Sequence, residues 1–190
     1  DICSLPPLKE MFAQDGPFDA VINLAARAGV RFSVENPWSY LDTNTTGALN
    51  LLDLCRQYQT PKFVQASTSS IYGANAPLPT PEDADSSHPL QPYAATKKAN
   101  ELMAHVYSHL YGLRTIGLRL FTVYGPWGRP DMAVWLFTEA MLQGKVIKVY
   151  NEGNLRRDFT YVADIVAGIL SEMFLEGLGG YEILTLGHHH

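Results

Sequence analysis

Cysteine is scarce: Cys3 and Cys55 are the only two, and they fall in no metal or redox spacing. That argues against a disulfide framework or a zinc module, and it predicts reduced thiols in a cytoplasmic protein. No apolar run approaches the roughly 20 residues of a membrane span, and no signal peptide opens the sequence. Basic runs are missing as well. The net charge of -5 is spread along the chain, which leaves nothing to grip nucleic acid or an anionic membrane surface. Charged residues are few, 17% against 46% hydrophobic, so one soluble domain with enough material for a core is expected, without disorder. His105 and His109 have the i, i+4 spacing of some zinc sites, but no Glu follows His105 and no third ligand is evident. The terminal His188-His189-His190 reads as the remnant of an expression tag, so no metal site is expected.

What the chain does have is concentrated between Gln65 and Lys97. The apolar run from Lys62 to Ala66 predicts a buried strand, and Thr68, Ser69 and Ser70 form a hydroxyl cluster where it ends. Tyr93 and Lys97 stand four residues apart in a segment of strong helix formers after Pro92, so they share one helical face. A phenol with a reference pKa of about 10 is a poor base at neutral pH, and a nearby ammonium is expected to favour its phenolate. Thr68 would share the hydrogen bond to a substrate alcohol. Tyr58 and Lys62 repeat the spacing, but Pro61 between them ends any helix.

Around this centre the pattern alternates strand and helix. Ser4 and the prolines after it predict a capped helix at the start. Phe18 to Ala26 reads as a buried strand whose small terminal residues suit either close cofactor approach or tight helix packing. Residues 28–37 read as a loop, and Trp38 to Tyr58 as one long helix with Asn44 inside it. Pro77, Pro79, Pro81 and Pro89, with Glu82, Asp83 and Asp85, mark an ordered surface loop. Further elements are a helix from Tyr93 to Leu110, a strand from Arg114 to Phe121, a helix from Ala133 to Gln143, a strand from Val146 to Tyr150, a helix from Ala163 to Glu176 and a strand from Glu182 to Leu186.

Taken together, Leu24-Ala25-Ala26, Asn44-x-x-Gly47, Ser67 to Gly73, Tyr93-x-x-x-Lys97 and Leu118 to Pro126 resemble the extended short-chain dehydrogenase/reductases. Within them the likeness is to nucleotide-sugar 4-epimerases, especially those acting on UDP-glucuronate. The resemblance implies an α/β fold, a Rossmann-like doubly wound parallel sheet, here partial. The first three strands and the glycine-rich phosphate-binding turn are missing, since no G-x-G-x-x-G occurs. It further implies that residues 1–187 are an incomplete NAD-binding and epimerase domain with part of the substrate-binding region, the C-terminal part being absent too.

By the same resemblance Thr68, Tyr93 and Lys97 are catalytic. Asp1, Ile2, Leu24, Ala25, Ala26 and Asn44, with Tyr93 and Lys97, hold NAD, Asn44 bracing the catalytic region. Arg31, Ser69, Ser70, Thr122, Arg129 and Arg157 bind the UDP-sugar, Arg129 near a carboxylate and Arg157 at the diphosphate. A guanidinium suits a carboxylate because it donates two parallel hydrogen bonds. Sugar dehydratases carry an Asp-Glu pair where Ser69-Ser70 stand, so the serines favour epimerisation over dehydration, and with a glucuronate substrate Thr68, Ser69, Ser70 and Thr122 would hold the carboxylate away from the geometry of decarboxylation. A second expectation follows from the missing strands: an inactive fragment that no longer binds NAD and self-associates as a homo-oligomer through an exposed sheet edge.

Overall fold

The computed structural model describes residues 1–149, 151–154, 157–175, 177 and 179–187. Four parallel strands form the central sheet: β1 (Val21–Asn23), β2 (Lys62–Thr68), β3 (Arg114–Leu120) and, last in the chain, β6 (Tyr181–Leu186). Their spatial order is β1-β2-β3-β6, and the β2 to β3 register runs from Lys62 opposite Arg114 to Thr68 opposite Leu120. Parallel neighbours need long crossovers, and helices supply them. Between β1 and β2 run α2 (Val30–Glu35), α3 (Pro37–Tyr40), a π-helical segment (Leu41–Thr46) and α4 (Gly47–Gln57). Between β2 and β3 runs α5 (Pro92–Tyr111), which begins on a proline at its first turn and ends on Gly112 in the left-handed conformation, φ 68°.

Strand alternation divides the core into two layers. Phe63 packs with Leu8 and Phe12 of α1 (Leu5–Asp15) and with Leu51, Leu52, Leu54 and Cys55 of α4. Val64, Ile116 and Leu118 turn the other way, onto Ile165 and Ile169 of α7 (Val162–Phe174), the helix that follows α6 (Ala133–Leu142) in the chain. The sheet is therefore covered on both faces, as its near-continuous apolar strands require. Both cysteines are free thiols, and burial pushes Cys55 up to about 12. No helix among the described residues is long and apolar enough to cross a membrane.

Several local expectations differ from what forms. Ser4 makes no side-chain cap to α1; the prolines at its first turn start the helix without one. The strand after Phe18 shrinks to Val21–Asn23, because β1 has a partner on one side only, and beyond Asn23 the chain leaves the sheet. Residues 30–35 fold as a short helix instead of a loop. The long helix is interrupted by the π segment, and residues 146–149 form no strand; Tyr150, like residues 188–190, lies outside the described residues. A separate parallel pair, β4 (Thr122–Tyr124) with β5 (Phe159–Tyr161), was not anticipated and carries the chain from β3 across to α7.

Candidate functional site

The carboxyl ends of β1, β2 and β3 meet the first turns of α5, where an open α/β sheet commonly places ligands. Thr68 ends β2 and its hydroxyl accepts a hydrogen bond from the Ser70 amide at 3.2 Å, which turns the chain into a 3-10 segment, Ser69–Tyr72. Ser69 and Ser70 are half-buried there. Thr122 opens β4 two residues beyond Leu120, the register partner of Thr68, so it lies at the same end of the sheet.

Tyr93, Lys97 and Glu101 occupy successive turns of one α5 face, and each meets β2. The Tyr93 phenol lies near enough to Thr68 for that hydroxyl to act on its pKa. The Lys97 ammonium donates to the Ala66 carbonyl at 2.8 Å. Glu101 accepts from the Ser67 hydroxyl at 2.6 Å. The odd-numbered residues of β2 and β3 face this helix, and at Gly117 a Cβ would come within 2.5 Å of Ile183 Cδ1 on the neighbouring β6.

The electrostatics depart from the expectation in one respect. Desolvation raises the Tyr93 pKa above its ordinary value, against the pull of the Thr68 hydrogen bond and of the Arg129 charge. Arg129 is a cation whose charge pulls this phenol down. Lys97 is turned to the Ala66 carbonyl, and its burial pushes it down to about 8. Among the described residues it donates only that one hydrogen bond, leaving two ammonium N–H groups for another acceptor.

Two braces hold the site. In the first, Asn44 sits fully buried in the π segment, a helix irregularity frequent at functional sites. Its side chain accepts from the Arg27 amide at 2.7 Å and donates to the Arg27 carbonyl at 3.1 Å and to the Thr96 hydroxyl at 3.1 Å. Asn100 donates to the Asn44 carbonyl at 2.8 Å. The loop after β1, which exposes Leu24 and Ala25 with Ala26 half-buried, is thereby tied to α5. Tyr40 adds to this brace. Its hydroxyl reaches the carbonyls of Ala28 (2.9 Å) and Gly29 (2.8 Å), and its ring meets that of Tyr93 edge-on at 6.3 Å.

The second brace is an ion pair. Glu101, wholly buried, takes two hydrogen bonds from Arg119, from Nε at 3.0 Å and Nη2 at 2.9 Å. Arg119 Nη1 continues to the Tyr72 hydroxyl at 3.0 Å and the Glu82 carbonyl at 2.6 Å. Lys98 links Glu101 to Ser86. The Arg119 pairing holds the Glu101 carboxyl below its usual range despite the desolvation that would raise it.

The remaining predicted residues lie further out. Ile2 packs against Gly47, where a Cβ would come within 2.6 Å of it, while the exposed Asp1 carboxylate accepts from the Cys3 amide at 3.0 Å. Arg31 is exposed on α2 and Arg157 is exposed just before β5. Arg129 grips Asp131 with Nε at 2.9 Å and Nη2 at 2.5 Å. Glu101, Arg119 and Tyr40 were not picked out from the sequence. A signal existed for Arg119, since a charge inside an apolar strand demands a buried partner.

A Tyr–Lys helix against the hydroxyl-bearing end of a parallel α/β sheet defines a protein of the short-chain dehydrogenase/reductase type. The family model for the NAD dependent epimerase/dehydratase family matches residues 1–175, and the chain belongs to that family. It is 55% identical over 162 residues to Protein CapI of Staphylococcus aureus, covering 85% of this chain and 48% of that protein. It is 50% identical over 187 residues to the UDP-glucuronate 4-epimerase of Thermodesulfobacterium geofontis, covering 98% and 56%. The Bacillus cereus UDP-glucuronic acid 4-epimerase, solved with UDP-glucuronic acid and NAD, superposes with a TM-score of 0.90 at 34% identity, covering all of this chain and 59% of that one. The chain spans about half the length of the curated relatives it matches.

The geometry yields two testable outcomes. Removing either partner of the Glu101–Arg119 pair strands a buried charge, so Glu101→Leu or Arg119→Met alone should cost about 3–5 kcal/mol, while the double variant recovers most of the loss in a denaturant double-mutant cycle. Lys97 has a folded pKa below its unfolded value, so its burial opposes folding wherever both states are protonated. Lys97→Met should accordingly be more stable than wild type by about 1–3 kcal/mol below pH 8, with the advantage fading as pH rises from 8 towards about 10.5, as read from urea midpoints across pH.

Proposed function

We propose that this chain carries the catalytic half of an NAD-dependent nucleotide-sugar 4-epimerase acting on UDP-glucuronate. The observation that carries the reading is the placement of Tyr93 and Lys97 on one face of α5 against the Thr68 end of β2, with the Thr68 hydroxyl and the Arg129 charge both acting on the phenol. Residues 1–187 then form an NAD-binding and epimerase region with part of the substrate site.

The residues present fit the cofactor on their own chemistry. The buried Lys97 ammonium with two uncommitted N–H groups suits ribose hydroxyls, and the exposed backbone at Leu24, Ala25 and Ala26 admits a flat ring. Asn44 would keep that backbone in place. Asp1 offers a carboxylate for the adenosine end, and Ile2 an apolar flank. NAD, when bound, supplies the reversible two-electron oxidant at C4 of the sugar.

Within that frame Tyr93 takes the proton of the C4 hydroxyl and returns it, and Thr68 shares the hydrogen bond throughout. Its raised pKa keeps Tyr93 protonated at rest, and Lys97 and Arg129 supply the positive charge that the phenolate stage needs. Arg129 receives the sugar carboxylate, helped by Ser69, Ser70, Thr122 and Arg31, and Arg157 pairs with the diphosphate. No carboxylic acid stands at Ser69 or Ser70 to expel a hydroxyl, which favours epimerisation over dehydration. The setting is cytoplasmic, where the sugar nucleotide and free thiols coexist.

Tyr93→Phe should lower kcat about 10²–10⁴-fold without a matching change in substrate binding. Arg129→Ala should cut kcat/KM for UDP-glucuronate about 10–100-fold more than for UDP-glucose, and equal losses would remove the uronate assignment.

A second reading rests on β1. It is the sheet's edge, with Ile22 and Leu24 exposed beside it, and an unpaired strand edge invites a second chain. In this reading the 190-residue chain binds no NAD and forms homo-oligomers through β1. Light scattering at working concentration should then report a dimer or larger, and calorimetry no NAD binding; a monomer that saturates with NAD contradicts it.

A further inference from the structure

Arg129 and Asp131 form a fork with a definite handedness. The Asp131 carboxylate occupies the Nε/Nη2 edge of the guanidinium, at 2.9 and 2.5 Å. A guanidinium has five N–H groups, so both N–H of Nη1 and one of Nη2 remain, and these make up its other bidentate edge. Among the described residues no acceptor is bonded to that edge.

The fork lies beside the loop after β1. A Cβ built on Gly29 would stand 3.3 Å from the Tyr40 hydroxyl, 3.8 Å from Arg129 Nη2 and 4.0 Å from Asp131 Oδ2, so all three converge on the backbone of the loop after β1. Gly29 has φ +108°, a conformation few other residues adopt, and its carbonyl is held by the same Tyr40 hydroxyl. The Tyr40 ring in turn lies edge-on to Tyr93. The uncommitted edge of Arg129 is thus presented beside that loop, within the neighbourhood of the reacting phenol.

We propose that Asp131 is a positioning residue for substrate choice: by holding one edge of the Arg129 guanidinium, it presets the other edge as a receptor for a sugar carboxylate. The inference rests on the assignment of Arg129 above and adds the device that makes it selective. A long arginine side chain loses rotamer freedom when it binds, and Asp131 imposes that loss before substrate arrives. The opposing effect is repulsion between Asp131 and the incoming carboxylate. It is weak, because both side chains of the pair are partly open to water, at 44% and 61%, and solvent screens the charges. Pre-ordering therefore outweighs repulsion. A neutral sugar makes no use of the free edge and is indifferent to Asp131.

The test is calorimetric binding of UDP-glucuronate and UDP-glucose to the complete protein with NAD, for wild type, Asp131→Ala, Asp131→Asn and Arg129→Ala. Asp131→Ala should weaken UDP-glucuronate about tenfold and leave UDP-glucose within about twofold. Asp131→Asn, which retains one oxygen for the guanidinium, should fall between Asp131→Ala and wild type. Tighter uronate binding in Asp131→Ala would make Asp131 a competitor and overturn the proposal, as would no change or an equal loss for both sugars. If Arg129→Ala separates the two ligands and Asp131→Ala does not, only the role of Asp131 falls. If Arg129→Ala itself fails to separate them, the uronate assignment falls and this inference with it.

Discussion

The buried pairing of Glu101 with Arg119 is the constraint on which the site's geometry depends. Glu101 stands two turns along α5 from Tyr93 on the same face, and Arg119 stands in the middle of the sheet. Their two parallel hydrogen bonds fix how far α5 is shifted along β2 and how it is rotated about its axis. Tyr93 then has only Thr68 to meet, and Lys97 only the Ala66 carbonyl. An ion pair this deep gains little net stability over a well-packed apolar pair, since desolvation offsets most of its attraction. What it supplies is register: an apolar contact tolerates sliding and a bidentate pair does not. The same guanidinium holds Tyr72 and the Glu82 carbonyl, so the hydroxyl cluster and the proline-rich loop are set by the same contact.

The Asn44 brace has a complementary role. An asparagine inside a regular helix finds its backbone neighbours already paired, whereas the π segment frees the Asn44 carbonyl to accept from Asn100. Its side chain is left to close a pair of hydrogen bonds with Arg27, as a neighbouring strand would. The loop that would receive the cofactor and the helix that bears the phenol thus form one body. Arg129 and Asp131 attach to the same body through Gly29 and Tyr40, which links the substrate end to the proton-transfer end.

Much of this was legible in the sequence where patterns are long. The strands from Lys62 and from Arg114 were readable from their apolar runs and the helix that follows from Pro92 and its strong helix formers, and the Tyr93–Lys97 spacing placed both side chains correctly on one face. Short elements were not legible. Residues 30–35 make barely more than one helical turn, and 146–149 are apolar without a partner strand to claim them. The partnership of Glu101 and Arg119 joins positions 18 apart through the sheet, and nothing local in the helix distinguishes Glu101 from an ordinary exposed glutamate. Only the placement of a guanidinium inside RTIGLRL hinted that a buried carboxylate had to exist. The direction of the Lys97 ammonium was likewise invisible, because it depends on where the Ala66 carbonyl lies.

The central claim is that the Glu101–Arg119 pair holds the first turns of α5 in register with β2. Native-state amide hydrogen exchange, comparing wild type with the Glu101→Leu, Arg119→Met double variant, tests it most directly. The account predicts that amides of residues 96–104 lose protection selectively, through local opening of α5, while those of β3 and α4 keep theirs relative to global stability. Unchanged relative protection along α5 would contradict it and leave the pair as a replaceable piece of core.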